Sequence, residues 1–260
     1  MDDQVPPASP QRSSSAVSIG VGIAILVVAV AAIIFWFVRK PNPAPPAPPP
    51  PPAAVAANPA PPDMPLPSTE ESDARVRRLF APLSANPAWP KWLEQPGLLE
   101  RGAVVIDNVV EDVSPRKQLG FLAPETKFEA KERGGKLLME KTSSARYDTV
   151  GDVIGSLDAK ALAQAFHELH PLLESAYHAL GYPDRPLDGV VGLALKRLAN
   201  APVVEEVEVR RDGRVYRFAD PKLEEQGPIE KQLLRMGPRN TRLISAKARE
   251  LATALGMDLK

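Results

Sequence analysis

The chain has 260 residues, no cysteine, and 32 basic against 32 acidic side chains. Lack of cysteine excludes disulfide scaffolds, Cys-ligated zinc and thiol catalysis, and the charge balance argues against capture of nucleic acid by a general positive field. The first 67 residues hold three charges of each sign, so the remainder of the chain is neutral too, at 29 against 29, and is long enough for one well-buried domain or two small ones.

Residues 1–16 form a short polar tail. Val17 to Val38 is a run of 22 uncharged, mostly apolar residues, the length of a transmembrane helix. A cleaved signal peptide fits less well. The run is too long, its N-terminal flank is not basic, and Phe35-Trp36-Phe37 stand where small residues would mark a cleavage site. Trp36 suits an interfacial aromatic belt, with Arg39 and Lys40 reaching for the polar boundary beyond it. Ser18/Gly22 and Gly20/Ala24 have the spacing that lets two such helices approach, a spacing also common by chance in Ala- and Gly-containing anchors.

Residues 39–67 read as a disordered Pro/Ala-rich linker, more than half proline from Pro41 to Pro67. In extended polyproline form it would reach roughly 80 Å, at about 3.1 Å per residue. Two orientations stay open. Arg39 and Lys40 would keep the C-terminal part in the cytoplasm under the positive-inside rule. The long spacer instead suits a head reaching into a cell envelope.

The head is expected over residues 68–257. Ser72-Asp73 precede an amphipathic stretch from Ala74 to Leu83, and Asn86 reads as a helix cap with Pro87 in the first helical turn, after which Trp89, Trp92 and Leu93 present one apolar face. A helix is expected over 97–110, with Leu98, Leu99, Val105, Ile106 and Val109 as candidate core residues. Gly134-Gly135 turn a hairpin between Phe128–Glu132 and Lys136–Glu140. Tyr147 to Gly155 is a short helix. Asp158 to Leu180 is expected to be the longest, capped by Ser156, kinked or broken at Pro171 and stopped by Gly181-Tyr182-Pro183. Leu187 to Ala199 is another helix. Asp212-Gly213 then turn a second hairpin, expected to place Val207, Val209, Tyr216 and Phe218 on one face and to pair Glu208 with Arg217 on the other. Asp220 is expected to cap a short helix at Pro221 to Glu225. Ile229 to Met236 is also helical, and Gly237-Pro238 separate it from a last helix, Arg239 to Leu255. The fold class is α+β, helix-rich with two β-hairpins, preceded by one transmembrane helix and a disordered proline-rich linker.

The segments Tyr216-Arg-Phe-Ala-Asp-Pro-Lys-Leu-Glu224 and Lys231-Gln-Leu-Leu-Arg-Met-Gly-Pro-Arg-Asn240, with Ala145-Arg-Tyr-Asp148 and Tyr177-His-Ala-Leu-Gly-Tyr-Pro-Asp184, carry a resemblance. On these motifs the head, from Ser68 to Leu255, resembles a bacterial, envelope-associated family catalogued as domain of unknown function 3014. The resemblance implies one N-terminal anchor and a low-complexity spacer. It implies no activity and transfers no catalytic residue.

Candidate chemistry is sparse. His167, His170, Glu174 and His178 share one flank of a helix, but the histidines lack the HExxH spacing of a zinc hydrolase, and weak i,i+4 pairs on a solvated flank explain them. Gly134-Gly135-Lys136 lacks the earlier glycine and the Ser/Thr of a phosphate loop. Arg235, Arg239, Asn240, Arg242 and Arg249 fall in a stretch without acidic residues and form a candidate interaction surface. Pairing of these cations with Glu205, Glu206, Glu224 and Glu225, and a bracing role for Asn240 at the Gly237-Pro238 turn, are the plainer readings. No catalytic, cofactor or metal site is assigned. The expected partners are the lipid bilayer, through residues 17–38, and an unidentified envelope protein or glycan, with no nucleic acid. The expected function is a single-pass, membrane-tethered head, facing a bacterial periplasm from the inner membrane, that binds without catalysis. The alternatives are an enzyme on an envelope polymer and a cytoplasm-facing regulator.

Overall fold

The computed structural model describes residues 65–259; the Val17–Val38 run and the linker up to residue 64 lie outside the described residues. Helix α1 (Thr69–Phe80) begins earlier than its apolar pattern indicates, because Ser68 and Glu71 form a reciprocal capping box. A single 3₁₀ turn (Ala81–Leu83) and the short α2 (Trp89–Leu93) come next. Ser72 and Asp73 are therefore inside α1 and buried. Asp73 does not start its own helix. Its carboxylate accepts from the Gly97 and Leu98 backbone N–H groups (2.9 and 2.6 Å) and caps α3 (Leu98–Val110), while Arg77 bridges to it at 3.2 Å.

This tertiary cap ties the first helix to the third. Asp73→Ala leaves two orphan N–H donors and a guanidinium without its carboxylate, and should cost about 2 kcal/mol in urea unfolding. A loss below about 0.5 kcal/mol would show that water replaces the carboxylate without penalty.

The first hairpin, β1 (Ala130–Arg133) and β2 (Lys136–Met139), turns at Gly134-Gly135 as its sequence indicates. After it come α4 (Lys141–Ala145), α5 (Asp148–Ser156), α6 (Ala159–His178) and α7 (Leu187–Ala199). Asp158, not Ser156, caps α6, accepting from Lys160 and Ala161 N–H at 2.9 Å; Ser156 is occupied by the Val153 carbonyl and Ser84. Helix α6 runs through Pro171 without a break. Pro171 and His167, whose carbonyl loses its helical partner, both lie on the exposed side, where solvent can serve that carbonyl.

The second hairpin, β3 (Val209–Asp212) and β4 (Val215–Phe218), departs from expectation in register. The two-residue turn is Gly213-Arg214, with Gly213 at φ 60° in the position where a type II′ turn takes glycine. Arg210, not Glu208, therefore faces Arg217. The shift is an even number of residues, so the predicted faces survive: Val207, Val209 and Phe218 are buried and Tyr216 is half-buried. Glu208 instead meets Lys136 at 2.9 Å, and the Met139 N–H donates to the Val207 carbonyl (2.9 Å), joining the hairpins.

Asp220 caps α8 (Pro221–Glu224) as expected, and the chain continues into α9 (Pro228–Ala254). At 27 residues α9 exceeds α6, but Gly237 interrupts it with non-helical angles (φ 80°, ψ 167°). Thr241 Oγ1 lies 2.7 and 2.9 Å from the carbonyls of Leu233 and Gly237, so its one proton is shared between acceptors on the two arms of the break. The main core lies between α3, α6, α7 and the C-terminal arm of α9, around Leu99, Ala103, Leu169, Leu172, Tyr177, Val191, Leu195 and Ala248. A separate cluster of Val207, Val209, Phe218 and Leu234 seats the hairpins on the N-terminal arm of α9. The described part of the chain is a helix-rich α+β domain with two small antiparallel hairpins. Among the described residues, no helix is long and apolar enough to cross a membrane.

Candidate functional site

The four sequence motifs meet mostly as structural joints. Asn240 is buried, and its amide donates to the carbonyls of Met236 (2.9 Å) and Ser144 (3.3 Å) and to the Asp148 carboxylate (2.9 Å). Gly151 lies against it: a Cβ there would stand 2.9 Å from Asn240 Cγ, so α5 and α9 touch through a missing side chain. Arg235 lies over the Phe218 ring (5.1 Å to the centroid), and burial lowers its guanidinium pKa. Tyr177 and Tyr182 stack at 5.5 Å, with Arg185 over Tyr182. Burial, with an Asp107 carboxylate 3.2 Å from its hydroxyl, pushes the Tyr177 phenol up to about 12.

Of the candidate interaction residues, Asn240 is a buried brace and Arg235 is largely covered. Arg239, Arg242 and Arg249 are exposed but occupied. Arg239 meets Asp152 at 2.5 Å, Arg242 pairs with Glu205, and Arg249 donates to the Ala199 carbonyl. The structure thus places these five residues along one helix, all engaged within the domain, and brings two of them together: Arg239 donates to Asn240 Oδ1 (3.1 Å) and both reach Asp148.

The histidine flank also has structural partners. His170 Nε2 is 2.9 Å from Asp188, the Leu187 N–H donates to Glu174 (3.4 Å), and His178 Nε2 is 3.3 Å from the Arg185 carbonyl, so the flank holds the start of α7. Among the described residues no group of three or more His, Asp and Glu side chains is arranged to hold a metal ion.

Glu224 shows how a motif acid is used. Burial alone would raise its pKa, but the Phe218 N–H (2.9 Å), Arg217 (3.2 Å) and Lys231 (3.4 Å) together hold it below the ordinary 4.5. A lowered carboxylate stabilises the fold above the unfolded value near 4.5, and that contribution is lost as pH falls through the lower folded value. Glu224→Gln should therefore lower stability at pH 7 and flatten its loss on acidification below pH 4.5, read as thermal midpoint against pH. An unchanged acid limb would remove Glu224 from this role.

One hollow lies away from these motifs. A cavity of about 460 Å³ lies between α1, α3, α6, α7 and the end of α9. Leu162, Phe166, Leu169 and Leu173 line it from α6; Leu98, Gly102, Val105, Ile106 and Val109 from α3; Val191, Ala194, Leu195 and Leu198 from α7; and Leu251 and Leu255 from α9. Leu98, Val105, Ile106, Phe166 and Leu173 are only half-buried. Among the described residues Arg101 is the one charged side chain lining it. Another cleft, of about 370 Å³ and with a mixed polar and apolar lining, lies beside Trp92, Phe121 and Arg146. Periodicity identifies most of the cavity wall as core, but not that the core leaves space. The one signal in the sequence is small: Gly102 and Ala194 interrupt otherwise bulky apolar faces.

The cavity is walled by apolar side chains apart from Arg101. Its size falls within the roughly 300–1,000 Å³ range of small-molecule pockets, and cavities walled by apolar side chains favour apolar guests over water. No curated protein and no solved structure matches the chain. A family model described as "Protein of unknown function (DUF3014)" matches residues 98–252, more than half of the chain and all four motifs, and the chain belongs to that family.

Proposed function

We propose that this protein is a membrane-tethered binding protein whose head holds an apolar component of the cell envelope in the cavity between α3, α6 and α7. The cavity carries this reading. A half-open hollow of about 460 Å³ walled by half-buried apolar side chains leaves apolar surface that the domain itself does not cover, and such a patch favours a guest. In this reading Val17 to Val38 is the anchor, in a bacterial inner membrane, and residues 39–67 are the spacer. The head faces the periplasm and works by holding, without catalysis. An anchored head next to a bilayer meets apolar ligands at high local concentration, which supports pairing this cavity with this sequence plan.

The test is a photo-crosslinking amino acid at Val105, on the cavity wall, in the full-length chain in living cells. The expected product is a covalent adduct with the mass of a small apolar molecule. An adduct with a protein would shift the function to a partner-binding face, and illumination without any adduct would sink both.

A further inference from the structure

We propose that the cleft beside Trp92, Phe121 and Arg146 binds a polyproline II segment, and that this segment is residues 41–52 of a second copy of this chain. The site is apart from the apolar cavity and shares no lining residue with it.

The walls are aromatic. Trp92 of α2 and Phe121 of the loop before β1 meet edge to face, with centroids 6.3 Å apart and planes at 78°. Trp89 packs on Trp92 at 6.0 Å and is itself fixed, its indole N–H donating to the Phe80 carbonyl (2.8 Å). Phe121 stays 39% exposed, and Pro124 and Val150 continue the apolar part of the lining. Aromatic-lined grooves of this kind recognise the preformed polyproline II helix.

The unmet polar groups of the cleft are donors. Unlike that of Trp89, the Trp92 indole N–H has no hydrogen-bond partner among the described residues, and it is not one of the buried unpaired atoms, so it reaches solvent. Arg146 is held by the Ser143 and Thr126 carbonyls (2.8 and 2.7 Å), through Nε and Nη1, and lies over the Tyr147 ring. Its Nη2 has no such partner among the described residues. Glu125 is the one acidic side chain on the lining, and it is exposed. Fixed donors are matched by a backbone that only accepts. Proline has no N–H, and in polyproline II its carbonyls have no internal partner.

The chain carries such a ligand in its own sequence. Nine of the twelve residues from Pro41 to Pro52 are proline and none is charged. Helix α1 sets where the chain enters the domain. Its 12 residues span about 18 Å, and Phe80 at its far end stacks on Trp89 at 6.4 Å. The residues just before α1 therefore enter a helix length from the aromatic walls, which leaves the cleft open to the tract of a neighbouring copy.

The test uses the full-length chain in membrane vesicles, with a photo-crosslinking amino acid in place of Thr149, an exposed residue of the lining. Chains carrying it are diluted into a large excess of heavy-isotope chains without it. Illumination should join position 149 to residues 41–52 of a heavy chain, read by peptide mass spectrometry. A peptide of sequence 41–52 should suppress that adduct, and the same peptide with alanine for every proline should not. Trp92→Phe, which keeps a ring and loses the N–H, should weaken suppression by the proline peptide about fivefold, the effect of one hydrogen bond. An unchanged value would overturn the donor match. Adducts confined to light chains would overturn the second-copy assignment. Equal suppression by the alanine peptide, or suppression by soluble cell-wall glycan fragments instead, would overturn the polyproline II class. Absence of any adduct with residues 41–52 would overturn the whole proposal. The peptide comparison is decisive even if Trp92→Phe fails to accumulate, and none of these results bears on the apolar cavity, which is read at Val105.

Discussion

Gly237→Ala should cost about 4 kcal/mol of stability, the sum of a backbone penalty and an overlap. The residue adopts φ 80° and ψ 167°, a region that only glycine occupies without strain. Independently, a Cβ at this position would overlap the Ser144 side chain and stand 3.0 Å from its Oγ. Ser144 cannot retreat easily. Ser144 belongs to α4, its carbonyl accepts from Asn240, and its hydroxyl donates to the Lys141 carbonyl at 2.9 Å. The two contributions separate in a double variant. Gly237→Ala with Ser144→Gly should recover the steric part, about half, and leave the backbone strain. Urea midpoints monitored by the fluorescence of Trp89 and Trp92 read both. A single variant within about 1 kcal/mol of the wild type would mean that the α9 break straightens freely.

The second large effect is expected at Arg197, where Arg197→Leu should lose about 3 kcal/mol. The guanidinium forms a fork with Glu230 (2.7 and 3.1 Å), reaches Asp112 at 2.8 Å, and donates to the carbonyls of Val109 and Val110 at the end of α3 (3.1 and 3.3 Å). The Glu230 hydrogen bond raises the Arg197 pKa further, so the group stays charged at every accessible pH. Removing it strands two carboxylates and the terminal carbonyls of α3. Asp112 is committed elsewhere too: it holds φ 55° and accepts from the Ile229 N–H (3.4 Å) at the start of α9. Arg197→Leu combined with Glu230→Leu should recover much of the loss, because an apolar pair leaves fewer unmet charges than half an ion pair. If the double variant is no more stable than Arg197→Leu, the effect belongs to the α3 carbonyls rather than to the fork. Arg197→Lys should fall between, keeping the charge but losing the fork geometry.

These two sites show how differently the residues disclose themselves. Gly237-Pro238 is a local break, and the chemistry of the dipeptide announces it. Arg197 sits near the C-terminus of α7 and reads from sequence as an ordinary cation in a last helical turn. Glu230, Val110 and Val109 lie 33, 87 and 88 positions from it, and periodicity does not report such partners. The same holds for Asp73, whose carboxylate reads locally as a helix start and acts across space as the cap of α3. The candidate cationic residues behave alike. Arg239 and Arg242 lie in a stretch without acidic residues; Glu205, one of the partners the sequence offers, meets Arg242, but Asp152, which meets Arg239 from α5, is not among them.

By itself the amino-acid sequence determined what depends on a few adjacent residues. It set both hairpins, the buried face of the second, the Asp220 cap, the bounds of α7 and the interruption of α9, as well as the family motifs. It also carries the 22-residue apolar run, which lies outside the described residues. Tertiary structure alone decided the register at Gly213-Arg214, the cross-element caps, the partners of Arg197 and Arg239, and the cavity. The physical reason is that hydrophobic periodicity states which way a side chain points, not how much of the facing volume its neighbours fill. Leu162, Phe166 and Leu173 point inward as expected, and it is the packing of three helices that leaves room between them.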